Sequence, residues 1–155
     1  MKPLKEFYID ELLRRQSMLD DKFKKKMGIT HVEPMFIALA YLDEVGELIH
    51  ELKPLWCYWK KEHKEINMQR VLEELSDCLH FALSYENTKE PKLLDVFEIE
   101  KHDYLWHMNN LKNIDTAIDS IIALLEYLKV PMETFLEVHH KVWLRNMNIR
   151  TGDDY

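Results

Sequence analysis

In "YLDEVGELIHEL", residues 41–52, Glu44 and Glu47 stand three positions apart in a segment otherwise rich in Leu, Val and Ile. "VLEELSDCLHF", residues 71–81, repeats the spacing with Glu74 and Asp77. On an α-helix, residues i and i+3 lie ~60° apart around the axis and ~4.5 Å along it, so each pair aims two carboxylates at one point. The pairs are either two solvated helix faces or two halves of one site, and their neighbours favour the second. Leu72, Leu75, Leu79 and Leu83 form one apolar stripe, while Glu74 and Asp77 fall opposite it beside Cys78, Phe81 and Tyr85, a face too aromatic to be merely solvated. The earlier segment has its main stripe at Tyr41, Val45, Leu48, Ile49 and Leu52, and its acids share a face continued upstream by Phe36, Ile37 and Ala40. Both helices are therefore expected to be covered on two sides. Carboxylates embedded in such a contact repel one another and are poorly solvated, which raises their pKa or demands cations. Four hard oxygen donors converging from two helices suit Mg²⁺, which takes carboxylate and water ligands and keeps positions for substrate phosphates. Gly46 costs its helix about 1 kcal/mol against alanine. That fits either a ligand or backbone passing close, or simple helix packing at a small residue.

Other residues offer less. In the terminal "KVWLRNMNIRTGDDY", Lys141, Arg145, Asn146 and Arg150 concentrate donors before a short tail. The planar fork of arginine suits phosphate oxygens, although a basic last turn also complements a helix dipole. His139-His140 and the His102/His107 pair lack i, i+4 spacing and nearby cysteine, which argues against zinc. Glu47/His50 and Asp77/His80 supply the E-x-x-H type of spacing that a di-iron bundle would use. A P-loop, a Rossmann glycine motif and G-x-S-x-G are all missing from the sequence, which removes the common nucleotide-fold and serine-hydrolase readings.

The elements that must position these residues read as helices, because three glycines and five prolines leave little hairpin chemistry in 155 residues. Leu4, Phe7, Tyr8, Leu12, Met18 and Leu19 keep helical spacing, and "KFKKKM" before Gly28 supplies a basic last turn and a stop, predicting a helix over about 4–26. The next starts near Glu33-Pro34 and runs to Leu52 before Pro54, followed by the short aromatic segment "LWCYWKK". Asn67 is placed to cap a helix through about Tyr85, Asn113 or Asp115 another to about Val130, and Pro131 to open a last one ending near Arg150. Two short helical pieces are expected between 87 and 112. The fold class predicted is all-α, one domain over 1–155: a compact bundle of about five to seven helices with a four-helix metal-binding core.

Formal charge is 21 minus 28, or −7, without a Lys/Arg tract large enough to track a phosphate backbone, so nucleic acid is an improbable partner class. No apolar run reaches the ~18 residues of a membrane span, and the N-terminus lacks a signal-type apolar core, so a cytoplasmic protein is expected. Cys57 and Cys78 lack C-x-x-C spacing and read as reduced, buried or half-buried thiols.

"EVGELIHEL", the aromatic "LWCYWKK", "EELSDCLHFALS" and a C-terminal "K…N…R…DY" resemble, in order, the motifs of the all-α dimeric dUTP pyrophosphatases, relatives of the MazG-like nucleotide pyrophosphohydrolases. The resemblance spans about residues 12–155 and is most specific in "EELSDCLHFALS". It implies that Glu44, Glu47, Glu74 and Asp77 are catalytic and bind the two or more Mg²⁺ ions that hold a triphosphate. It implies further that Gln16 and Asp20 in "RRQSMLDD" contact the nucleoside, that His80 and Phe81 lie near base and sugar, and that Trp59, with Trp56 as second choice, packs on the base. Lys141, Asn146, Arg150 and Tyr155 match the family's C-terminal phosphate and nucleotide contacts. Cys57 stands where the family commonly has lysine, leaving Lys60 or Lys61 as substitutes, and Thr151 stands where glutamine often follows the terminal arginine.

The implied reaction is dUTP plus water to dUMP and pyrophosphate, with dUDP as a candidate second substrate; in the family, water attacks the β-phosphorus. The implied assembly is a homodimer. Three alternatives remain open at this point: a pyrophosphohydrolase for dCTP or other, including non-standard, dNTPs; a non-catalytic helical module that binds a protein through Trp56, Trp59, Trp106 and Trp143; and a bundle with a di-iron carboxylate centre.

Overall fold

Six α-helices and no strands make up the computed structural model, which describes residues 3–89 and 102–152. Helix α1 covers Pro3–Met27 and stops where Gly28 turns to φ 68°, with the Ile29 N–H donating 3.0 Å to the Lys24 carbonyl. Only a residue without Cβ takes that left-handed geometry cheaply. Helix α2 (Pro34–Glu51) begins at its proline and ends against a 3₁₀ turn, Lys53–Leu55, built around Pro54. Helix α3 (Met68–Glu86) is capped as the sequence predicts, the Asn67 side chain accepting from the Arg70 N–H. Helix α4 (Tyr104–Asn110) is capped by Asp103. Helix α5 (Ala117–Tyr127) follows a 3₁₀ turn, Ile114–Thr116, and α6 (Met132–Arg145) follows Pro131. The chain then widens into one π-type turn, Asn146–Arg150.

One expected cap needs correction. Neither Asn113 nor Asp115 caps α5 with its side chain: the Asp115 carboxylate is taken by the Lys89 ammonium at 2.6 Å, and an extra 3₁₀ turn precedes the helix. Of the two short helical pieces expected between 87 and 112, α4 supplies one, and residues 90–101 lie outside the described residues.

Helix α3 is the hub, packing against α1, α2, α5 and α6. It is covered on all sides, Glu74, Ser76, His80, Ser84 and Glu86 being buried along with its leucines. Helix α2 departs from the expectation of two covered sides: Ile37, Tyr41, Val45 and Leu48 are buried, but Met35, Phe36, Leu39 and Leu42 lie 51–66% exposed along the other face. One apolar cluster draws residues from every helix. Tyr41, 1% exposed, ties α2 to the α4–α5 corner by donating its hydroxyl to the Leu111 carbonyl. None of the described helices is long and apolar enough to cross a membrane.

Candidate active site

The pairing of α2 with α3 brings three of the four predicted acids together. Carboxylate oxygens of Glu44, Glu74 and Asp77 all lie within 4.8 Å of one another. Glu47 is exposed and outside that group, but its charge is felt by all three members. Burial, reinforced by Asp77 and Glu74, pushes the Glu44 carboxyl up to about 7. Glu74, 8% exposed, is raised by burial and then by Asp77, and Asp77 is raised by burial against the opposing pull of Arg145 and Arg150. Beneath them burial and the same acids hold the Cys78 thiol neutral, far above its ordinary range.

Cationic compensation is partial. Arg70 donates Nη2 to Glu74 at 3.2 Å and Nε to Glu51 at 3.0 Å. Among the described residues no hydrogen-bond donor reaches Glu44 or Asp77, so two clustered carboxylates are left with open lone pairs. Hard oxygen donors so placed fit a divalent cation such as Mg²⁺. The group close enough to share an ion contains no histidine, against the di-iron and zinc alternatives.

One helical turn beyond Asp77, a second set of polar atoms lacks partners. His80 is 5% exposed, both its ring nitrogens are unpaired, and burial lowers its pKa to about 4, leaving one N–H and one lone pair. On the neighbouring α1 and at the end of α6, Gln16 Oε1, Asn146 Oδ1 and Arg145 Nε are likewise buried without partners, as are Glu86 Oε1 and Asn87 Oδ1 at the far end of α3. An unpaired buried polar group costs about 1–3 kcal/mol. Several together mark a place where a polar ligand completes the bonding. The set is held rigidly. Gln16 donates to Asp20 Oδ1 at 2.9 Å and Ser84 of α3 to Asp20 Oδ2 at 2.8 Å. Lys22 and Lys26 of α1 donate to the Met147 and Arg150 carbonyls at 3.1 and 2.8 Å, fixing the π-type turn that carries Asn146 and Arg150. The basic end of α1 thus fastens the C-terminal turn as well as complementing its own dipole.

The remaining predicted residues differ in burial and anchoring. Phe81 is half-buried against the core, Trp59 is 63% exposed, and Trp56 is anchored through Nε1 to the Ile49 carbonyl. Lys141 is exposed one turn before Arg145, whereas the Arg145 charge acts on both Asp77 and His80. Tyr155 lies outside the described residues. Arg70, Ser84, Arg145 and His139 were not singled out as site residues from spacing. Only for Arg145, flagged among the C-terminal donors, was there a signal.

A family model described as dUTPase matches residues 8–150, nearly the whole chain and every predicted site residue except Tyr155. The chain belongs to the all-α dUTPase family. No curated protein and no solved structure gives a significant match. As a dUTPase-family member it is an enzyme of the dUTP diphosphatase type, in a family that is generally dependent on divalent metal and acts on nucleotides. That membership overturns the non-catalytic module. Of the four tryptophans, Trp56 and Trp143 spend their N–H groups on the Ile49 and Arg15 carbonyls, while Trp59 and Trp106 are exposed.

Proposed function

We propose that the protein hydrolyses dUTP to dUMP and pyrophosphate, with two or more Mg²⁺ ions held by Glu44, Glu74 and Asp77 and, from its exposed position, Glu47. The observation that carries the reading is the acid group within 4.8 Å next to a seam of unpaired buried polar atoms. Magnesium, when bound, neutralises a phosphate chain of about four negative charges and makes water more acidic. The chain's own residues do the rest. Glu47 orients the attacking water and accepts its proton. Arg150, together with Arg145 and Lys141, stabilises charge on the departing phosphates. Gln16 and Asn146 offer amide oxygens that need a donor, and neutral His80 offers one N–H. An imide base that presents both a donor and acceptors meets those needs. Phe81 packs by the sugar and Trp59 on the base, and Tyr155 is the family-matched C-terminal contact to the nucleotide. Asp20, held by Gln16 and Ser84, fixes the Gln16 amide.

The exposed apolar stripe of α2, Met35, Phe36, Leu39 and Leu42, supports a homodimer, because a contiguous apolar face on a charged chain marks a contact surface. The two free buried thiols suit the reducing cytoplasm. The test is pyrophosphate release from a panel of dUTP, dCTP, dTTP and dATP, and phosphate release from dUDP, each with and without Mg²⁺. Mg²⁺-dependent turnover of dUTP well above the others is expected. Preference for dCTP, or equal rates, would replace uracil by the broader dNTP reading.

A further inference from the structure

We propose that His139 is a positioning residue for the nucleoside subsite: pinned by Ser76, it fixes the ring plane of His80. The inference rests on the reading above that His80 faces the nucleoside. His80 has no hydrogen bond to set its χ2 angle, both nitrogens being unpaired. A half-turn of the ring would exchange its nitrogen and carbon edges and present a different donor pattern to the ligand. What stands against the ring is His139 of α6, centroids 4.3 Å apart and planes at 83°. His139 is 4% exposed and is itself held by a 2.8 Å hydrogen bond between its Nδ1 and Ser76 Oγ.

Ser76 is fully buried on α3 one turn before His80, so the three residues close a loop between α3 and α6. Phe135, one turn earlier on α6, lies with its ring 6.1 Å from that of His139. The bond to Ser76 fixes His139, and the edge-to-face contact passes that fixity to His80, a geometry aromatic pairs favour. A residue serving only to fill space would need no hydroxyl, and burying one without this bond would carry a desolvation cost.

Ser76→Ala and His139→Phe separate positioning from packing, the first deleting the pin and the second keeping a ring of similar shape. The measurement is long-range ¹H–¹⁵N correlation of the histidine ring nitrogens in the nucleotide-free protein, with His80 assigned by its loss in His80→Gln, paired with dUTP kinetics. Wild type is expected to give one sharp tautomer pattern for His80, and both variants a shifted or broadened one, with KM raised about tenfold and kcat much less changed. His80 signals and KM identical to wild type in either folded variant would overturn the proposal. Because the ring signals are read without substrate, their outcome stands even if the nucleotide panel shows that dUTP is not hydrolysed.

Discussion

Glu44 of α2 and Asp77 of α3 place carboxylate oxygens within 4.8 Å of each other, although neither receives a hydrogen bond among the described residues. Two like charges this close in partly buried surroundings destabilise the metal-free fold. Asp77→Asn should therefore raise the thermal midpoint in chelator while lowering dUTP turnover in Mg²⁺ by about a hundredfold or more. Glu47→Ala, which removes the exposed acid, should lose turnover similarly with little change in midpoint. Differential scanning fluorimetry beside a pyrophosphate assay checks both. Wild-type turnover in both variants would contradict the assigned roles.

The Glu44 carboxyl, raised by burial and by Asp77 and Glu74 to about 7 from 4.5, makes metal-free stability depend on pH. Between about 4.5 and 7 the folded chain keeps a proton that the unfolded chain releases, so this group's contribution is full below that window and lost as pH rises through it. Burial of His80 and His139 lowers their pKa and acts in the opposite sense, so the diagnostic quantity is the difference from a permanently neutral variant. The midpoint advantage of Glu44→Gln over wild type should grow from pH 4.5 to 7 in chelator. A difference independent of pH would contradict the shift. Protons also compete with the ion, and apparent Mg²⁺ affinity should fall by up to about tenfold per unit below pH 7.

Among the described residues a Cβ at Gly46 would meet no atom within 4 Å, so packing against them does not explain this glycine. Gly46→Ala is expected to stabilise the isolated chain by up to about 1 kcal/mol through helix propensity. Thermal melts at low protein concentration measure this. A lowered midpoint that appears only at high concentration would place the glycine in a subunit contact instead.

Asn146, 6% exposed with its Oδ1 unpaired, is retained at a cost to the free fold. Asn146→Leu, with the same branch at Cγ and without the orphan oxygen, should melt close to wild type yet raise the KM for dUTP by about tenfold or more. A destabilised variant with unchanged KM would make the amide structural.

The helices were legible where a local signal decides them. Gly28 ends α1, Asn67 opens α3, and Pro34 and Pro131 stand at helix starts because each acts on backbone within a few residues. The start of α5 was not, because Asp115 spends its carboxylate on Lys89, a partner far away in sequence. The acid pairs of the site were visible as i, i+3 spacing on two helices. Arg70 and His139 carry no such mark. Arg70 meets Glu51 only through the α2–α3 pairing, and His139 meets Ser76 and His80 only because α6 packs on α3. The exposed face of α2 was misjudged because an apolar stripe reads the same whether its cover lies within the chain or outside it.

The most direct test of the central claim, that Glu44, Glu74 and Asp77 gather divalent ions to hold a nucleotide's phosphates, is calorimetric titration of a non-hydrolysable α,β-imido dUTP into wild type and into a Glu74→Gln/Asp77→Asn double variant, with Mg²⁺ and with chelator. Tight binding only for wild type with Mg²⁺ is predicted. Equal affinity in all four titrations, or Mg²⁺-dependent binding that survives in the double variant, would contradict it.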